Sequence, residues 1–152
     1  MAGFREVKTL HPPYGLQHQR SRYEEDEVDG NGNGKVVVNL ATGLEDPERV
    51  TVAFLVAGAA ATAGKQVTMF LTKEAVRLAV PGVAVGVACD GCPPLPTLAT
   101  QFAEAGGRLL VCPYCFNARN LDEDTLVDHA QIGGATPLWQ WIGNDGATVF
   151  SY

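Results

Sequence analysis

The chain has 152 residues, with 17 acidic against 11 basic side chains, a formal net charge of -6 and 46% hydrophobic residues. This length and composition predict one globular domain. The acidic excess argues against nucleic acid as the main ligand, because phosphate binding needs a basic surplus. The longest span-like uncharged run, residues 50–64, is shorter than the roughly 20 apolar residues that a membrane helix requires, so no membrane partner is predicted. Residues 1–10 are charged and lack the apolar segment of a secretory signal, so we expect a cytoplasmic protein.

Residues 1–34 differ in composition from the rest of the chain. They contain Pro12 and Pro13, an acidic run over residues 24–29 and an alternating Gly/Asn stretch. Such a segment buries too little apolar surface to offset the entropy lost on ordering. We therefore predict a flexible N-terminal arm over 1–34 and an α/β domain over 35–152.

The domain opens with alternating strand and helix signals. Residues 35–43, KVVVNLATG, predict a buried strand that a glycine closes. Asp46 is a candidate N-cap with Pro47 at the first helical position, and the helix is expected to end at Gly64. The next strand is predicted over residues 66–71, QVTMFL.

The first helix is apolar nearly all round between residues 50 and 63. One apolar face is enough to cover a sheet, so the opposite face is expected to meet another surface. That surface belongs either to a partner subunit or to another element of the chain, and we expect the partner subunit of a homo-oligomer.

The remaining signals continue the alternation. Residues 72–80 predict a short helix, and residues 83–88, VAVGVA, fit either a strand or an extended loop because glycines lie nearby. The later predicted elements are a helix over 93–106, a strand over 108–111, helices over 113–119 and 122–128, a short strand over 129–132, a helix over 136–142 capped by Thr136, and a strand over 147–152. Alternating strands and helices predict a three-layer α/β/α sandwich with about five mainly parallel strands.

The four cysteines form two C-x-x-C pairs, Cys89 with Cys92 and Cys112 with Cys115, separated by nineteen residues. In a chain without an export signal, cysteines are expected to be thiols, thiolates or metal ligands rather than structural disulfides. The spacing of the two pairs fits a tetrahedral zinc site. A strand over 83–88 would bring all four thiols to one edge of the sheet.

The surroundings of Cys112 favour a different chemistry. Cys112 follows the predicted strand RLLV directly, and Pro113 opens a helix, so the sulfur is expected at the carboxyl edge of a parallel sheet and at a helix start. Unpaired N–H groups at a helix start favour the thiolate, which is the nucleophilic form. Cys115 lies one turn later and could resolve a persulfide or disulfide on Cys112.

Other polar residues near the cysteines have plain structural explanations as well as functional ones. Asn117 and Arg119 could stabilise a thiolate, but solvent-facing helix positions are the simpler interpretation. Asp90 precedes Gly91, which is a common turn pair. His129 is expected to be a hydrogen-bonded histidine at an edge, with proton shuttling to the thiols as the alternative.

From residue 35 onwards the sequence resembles the DsrE family of intracellular sulfur-relay and sulfur-oxidation proteins. The resemblance covers about three-quarters of the chain and rests on motifs in order: KVVVNLATG, GLEDPERV, QVTMFLTKEAV, RLLVCPYCFNARNL, DHAQIGGATPL and ATVFSY. It implies a small α/β sandwich, an oligomer, and a persulfide carried on Cys112, which matches the family's sulfur-carrying position. Cys89, Cys92 and Cys115 have no fixed counterpart in the sulfur-carrying members.

These observations support two hypotheses of different classes. The first is a sulfur carrier or thiol-redox protein that accepts sulfane sulfur on Cys112, uses Cys115 as the second thiol, exchanges sulfur with donor and acceptor proteins and needs no cofactor. The second is a non-catalytic module in which Cys89, Cys92, Cys112 and Cys115 bind zinc. The sequence does not decide whether the first would be an enzyme or a stoichiometric carrier.

Overall fold

The computed structural model describes residues 34–152. Its strands are β1 (Lys35–Leu40), β2 (Gln66–Leu71), β3 (Arg108–Val111), β4 (Ala130–Ile132) and β5 (Thr148–Ser151). Its α-helices are α1 (Pro47–Thr62), α2 (Leu95–Glu104), α3 (Pro113–Asn117) and α4 (Ala135–Ile142), and Lys73–Ala79 and Glu123–Thr125 form 3-10 helices. The predicted arm over 1–34 lies outside the described residues, except for residue 34.

The five strands form one parallel sheet in the order β4-β3-β2-β1-β5. Val38 of β1 is opposite Met69 of β2 on one side and Phe150 of β5 on the other, and Met69 is opposite Leu109 of β3. The predicted α/β class and parallel sheet are therefore confirmed.

Helices α1 and α2 cover one face of this sheet. Alternate strand residues, which share a face because side chains alternate along a strand, belong to the main core with these helices. Phe54 of α1 and Phe102 of α2 meet edge to face, with their ring centroids 6.0 Å apart. Other core residues from the strands are Val36, Val38, Leu40, Val67, Met69, Leu71, Leu109 and Val111.

The opposite face of the sheet is covered by α4. Thr68 and Leu110 are buried on that face, and they line a small cavity together with Pro137 and Trp141 of α4. At Gly133, just before α4, a Cβ atom would lie 2.7 Å from a methyl carbon of Leu110, so glycine permits this close approach. Helices on both faces complete the predicted three layers.

Residues 83–88 do not form a strand. Gly82 and Gly86 have positive φ angles of 83° and 82°, and the amides of Val85 and Val87 donate to the carbonyls three residues before them. Consecutive turns replace the extended backbone, because the glycines adopt a conformation that breaks a strand.

Most helix starts follow the sequence signals. Asp46 caps α1, since its carboxylate accepts from the amide of Arg49 at 3.0 Å, and Pro47 is the first residue, as predicted. The predicted cap at Thr136 is wrong: α4 begins one residue earlier, after Gly134, and its cap position lacks a side-chain hydrogen bond. Only one 3-10 turn forms within the predicted helix 122–128. Among the described residues, no helix has the length and apolar character needed to cross a membrane.

Candidate active site at the carboxyl edge of the sheet

The carboxyl ends of the three central strands meet at one edge of the sheet. Beyond the strands, the amide of Thr72 donates to Leu40 and the amide of Cys112 donates to Leu71, both at 3.0 Å. These hydrogen bonds continue the ladder past the ends of β2 and β3. They fix the backbone of Cys112 beside β2, at the edge where the sequence places it.

Cys112 occupies the junction between β3 and α3. It is the N-cap residue of α3 without a side-chain capping hydrogen bond, and its carbonyl accepts from the amide of Phe116 at 3.0 Å. Phe116 is fully buried and anchors the short helix to the core. Cys112 is a free cysteine and the residue is half-buried, so the site combines a fixed backbone with a partly accessible residue.

Cys115 follows within α3. Its thiol is also free and half-buried, and both cysteines pack against the hydrophobic core. Tyr114, between them, is 86% exposed. The C-x-x-C pair therefore lies partly sheltered beside an aromatic side chain that projects into solvent.

A charged network fastens α3 to the 3-10 helix after β2. Glu74 accepts from Arg77 Nε at 2.9 Å and from Arg119 Nε at 2.8 Å, and Arg119 Nη1 donates to the carbonyl of Cys115 at 2.9 Å. The hydrogen bond from Arg77, followed by the one from Arg119, lowers the pKa of the Glu74 carboxyl below its ordinary value. Arg119 therefore neutralises Glu74 and holds the backbone of Cys115.

The network is in contact with the loop that follows β1. At Gly43, a Cβ atom would lie 2.7 Å from the carbonyl oxygen of Glu74, so only glycine allows the two loops to approach this closely. Sequence reasoning did not identify Glu74, because a glutamate in a short helix is an ordinary surface residue. Asn117, in contrast, is exposed, as its simpler interpretation predicted.

Cys89 and Cys92 differ from the other pair. They form a disulfide, with their Cα atoms 5.2 Å apart, in the loop before α2. The amide of Cys92 donates to the carbonyl of Cys89, and Gly91 has a positive φ angle of 76°, so a tight turn brings the sulfurs together. The expectation of four reduced thiols is therefore not met by this pair, and exposed Asp90 is part of the turn.

The structure does not bring all four cysteines into one ligand set. Across residues 34–152, no three His, Cys, Asp or Glu side chains are grouped as metal ligands. Residues 83–88 also do not form the strand that was expected to bring Cys89 and Cys92 to the sheet edge beside Cys112 and Cys115. The zinc hypothesis stays a prediction, and it requires a reduced and rearranged first pair.

His129 lies away from the thiols, at the amino end of β4, whereas Cys112 follows the carboxyl end of β3. Its ring meets Phe102 edge to face at 6.2 Å, and its Nε2 atom is buried with no hydrogen-bond partner among the described residues. Burial lowers the pKa of His129 below its ordinary value of 6.5, although Asp128 acts in the opposite direction. Within residues 34–152, Nε2 therefore lacks the hydrogen bond expected of an edge histidine.

Comparison with known proteins identifies relatives of the domain. A model of the DsrE/DsrF-like family matches residues 35–151. The YchN protein from E. coli has a similar structure, with a TM-score of 0.65 and 18% identity, over 78% of this chain and 99% of YchN. MTH1491 from Methanobacterium thermoautotrophicum, described as a protein of unknown function, gives a TM-score of 0.55 and 12% identity over 78% of this chain and 99% of its own.

At these identities the two structures support the fold alone, and no curated protein matches the chain. The family match extends over nearly all of the described residues and includes β1 to β5 and the Cys112 junction. The chain belongs to the DsrE/DsrF-like family.

Proposed function

We propose that the protein is a sulfur carrier that holds sulfane sulfur as a persulfide on Cys112. The observation that carries this proposal is a free, half-buried cysteine fixed directly after β3 in a chain of the DsrE/DsrF-like family. Such a family suggests a sulfur-relay role in general terms, and Cys112 supplies the specific acceptor. In this proposal Cys115 is the second thiol, and the Glu74–Arg119 contact holds the backbone of Cys115 in place.

Loading requires no external oxidant, because the donor persulfide brings its sulfane sulfur and is itself reduced to a thiolate. The Cys112 thiolate attacks the outer sulfur of a donor persulfide, R–S–SH, a Cys112–S–SH persulfide forms, and the donor leaves as its thiolate. The partial burial of Cys112 favours this role, because it limits hydrolysis and further oxidation of the persulfide. Donor and acceptor proteins are the expected partners, and no cofactor takes part in this step.

Two routes of release follow from the C-x-x-C spacing. An acceptor thiolate can attack the outer sulfur and expel Cys112 as a thiolate. Alternatively, the Cys115 thiolate attacks the inner sulfur, which forms a Cys112–Cys115 disulfide and releases hydrosulfide. In the second route the sulfane sulfur is reduced to hydrosulfide and the cysteine pair is oxidised by two electrons, which an external thiol reductant must return before another cycle.

Mass spectrometry after incubation with glutathione persulfide tests the proposal. The wild-type protein should gain about 32 Da, the mass of one sulfur atom, on the peptide that contains Cys112. Cys112→Ser should remove the gain, whereas Cys115→Ser should keep it and prolong its lifetime. This function would be excluded if the wild type formed persulfides only on cysteines other than Cys112. It would also be excluded if no persulfide formed under conditions that load a known carrier.

The zinc hypothesis is tested on the same protein. Elemental analysis after purification without added metal should find less than stoichiometric zinc if Cys112 is a sulfur carrier. About one zinc per chain, with all four thiols protected from alkylation, would instead support the binding module.

We also propose that the protein is a cytoplasmic homo-oligomer. The outward face of α1 supports assembly, since Val52 and Leu55 are 40% and 41% exposed although they are large and apolar. A cytoplasmic location fits the proposed chemistry, because a reducing compartment keeps the free thiols of Cys112 and Cys115 reduced.

A further inference from the structure

The loop over residues 88–94 carries a disulfide that stands apart from the hydrophobic core. Cys89 and Cys92 are half-buried, and the other five residues of the loop are exposed. Among the described residues, the half-buried apolar side chains packed against the core include both cysteines of the second pair and neither cysteine of this one. Sγ of Cys92 makes an exposed contact, 3.9 Å from the carbonyl oxygen of Asp90. A thiol on another molecule can therefore approach the bridge.

The backbone closes this loop without help from the bridge. The amide of Cys92 donates to the carbonyl of Cys89 at 3.0 Å, and Gly91 supplies the positive φ angle of the turn. At the ends of the loop, the amide of Leu95 donates to the carbonyl of Val87 at 3.0 Å, and Leu95 is fully buried. Reduction would break one covalent bond and leave these hydrogen bonds and this anchor in place.

The bridge joins residues that are only three positions apart in the chain. In the chain-entropy model a disulfide stabilises a fold by closing a loop of the unfolded chain, and the effect grows with the length of that loop. A bridge within a single turn therefore contributes less to stability than one that joins distant segments. In a reducing cytoplasm, the location proposed above, disulfides are usually transient and serve catalysis or redox sensing. The position of this bridge favours a redox role over a structural one.

The small ring also selects the class of reductant. When a thiolate opens the bridge at Cys92, the released Cys89 stays in the same turn, so its effective concentration at the mixed disulfide is high. Cys89 then expels a monothiol and restores the bridge. A dithiol completes the reaction, because its second thiolate attacks the mixed disulfide and closes a disulfide within the reductant.

We propose that Cys89 and Cys92 form a second, redox-active centre that exchanges two electrons with a protein dithiol. A thiolate of the partner attacks Sγ of Cys92, the bond between the two sulfurs breaks, and Cys89 leaves as a thiolate that takes up a proton. The partner's second thiolate then attacks the partner's own sulfur in the mixed disulfide and releases Cys92 as a thiolate, which is also protonated. The partner leaves as a disulfide, and the pair is reduced by two electrons. Cys112 takes no part, so the inference is independent of the sulfur-carrier proposal.

Reduction by thioredoxin, a protein dithiol, tests the proposal on the full chain. The variant with Cys112→Ser and Cys115→Ser contains only the first pair, and after air oxidation it is incubated with thioredoxin, thioredoxin reductase and NADPH. It should consume about one equivalent of NADPH per chain, because one disulfide takes up two electrons. The matched control, which carries Cys92→Ser in addition, should consume none. In the wild type, differential alkylation should show the same reduction at Cys89 and Cys92.

Small thiols test the class of reductant. Dithiothreitol should reduce the bridge completely at a concentration where 2-mercaptoethanol, at the same concentration of thiol groups, leaves most of it intact. Equal reduction by the two reagents would overturn the choice of a dithiol as the partner.

NMR of the oxidised and reduced chain separates a redox role from a structural one. Reduction should shift the backbone amide signals of residues 87–95 and leave those of β1, β2 and β3 in place. Shifts that extend into these strands would show a structural bridge and overturn the proposal. It would also be overturned if the air-oxidised chain consumed no NADPH, or if Cys89 and Cys92 were alkylated as free thiols before any reductant was added.

Discussion

Gly107 shows how one missing side chain shapes the core. It lies just before β3, and an added Cβ atom would overlap the ring of Phe102, which is fully buried. Gly107→Ala is therefore expected to lower the free energy of unfolding by about 1–3 kcal/mol through overpacking. Urea denaturation measures the change.

Gly58 provides the control for that substitution. It lies within α1 and nothing is within 4 Å of its missing Cβ atom. Gly58→Ala should raise the free energy of unfolding by about 0.5–1 kcal/mol, because alanine has the higher helix propensity. Equal effects of the two substitutions would contradict the overlap with Phe102.

His129 should make the stability depend on pH. Burial lowers the pKa of His129 in the folded chain, against the opposing effect of Asp128. As the pH falls below 6.5, the ordinary value, the unfolded chain takes up a proton that the folded chain does not, so stability falls with pH in this window. Between about pH 7.5 and pH 5.5, the Tm of the His129→Gln variant should therefore fall less than the Tm of the wild type.

The other histidines and the carboxylates are the same in both proteins, so the comparison isolates His129. Glu104 and Asp128 line the same cavity as His129 and are retained in the variant. Parallel dependence of Tm on pH in the two proteins would show that the imidazole is not desolvated by folding.

The sequence predicts the position of Cys112 but not its surroundings. A strand signal followed by Cys-Pro is local information, and it places this cysteine at the junction of β3 and α3. The contact between Glu74 and Arg119 joins residues 45 apart in the chain, and the bond between Cys89 and Cys92 depends on a turn at Gly91. These features arise from tertiary packing and local backbone conformation, which neither spacing nor composition reports.

The first turn of helix α1 is stabilised by its N-cap residue. Asp46 is the N-cap and accepts from the amide of Arg49, so Asp46→Ala should lower the free energy of unfolding by about 1 kcal/mol. Asp46→Asn should cost much less, because it keeps the accepting oxygen and loses only an exposed ion pair with Arg49. Denaturant titration of both variants distinguishes the cap from the charge, and similar losses would mean that the charge dominates.

Residues 83–88 show that composition alone can fail to predict a whole secondary-structure element. Their valines and alanines have the composition of a strand, yet Gly82 and Gly86 have positive φ angles and turn the backbone. Strand order was not predicted either, although parallel pairing was. The order β4-β3-β2-β1-β5 depends on where each crossover packs, and on α4 crossing the face opposite to α1 and α2.

The assembled molecule leaves an apolar surface on the outer side of α1, around Val52 and Leu55. If this surface joins copies of the chain, as proposed, a charge at its centre should separate them, because an unpaired buried charge is strongly unfavourable in an interface. Leu55→Lys should therefore reduce the mass measured by light scattering to that of the single chain. Thr97→Lys adds the same charge at an exposed position of α2 and should keep the wild-type mass. The proposed interface at α1 would be contradicted if the wild type were already monomeric at micromolar concentration. It would also be contradicted if the Leu55→Lys variant kept the full assembly.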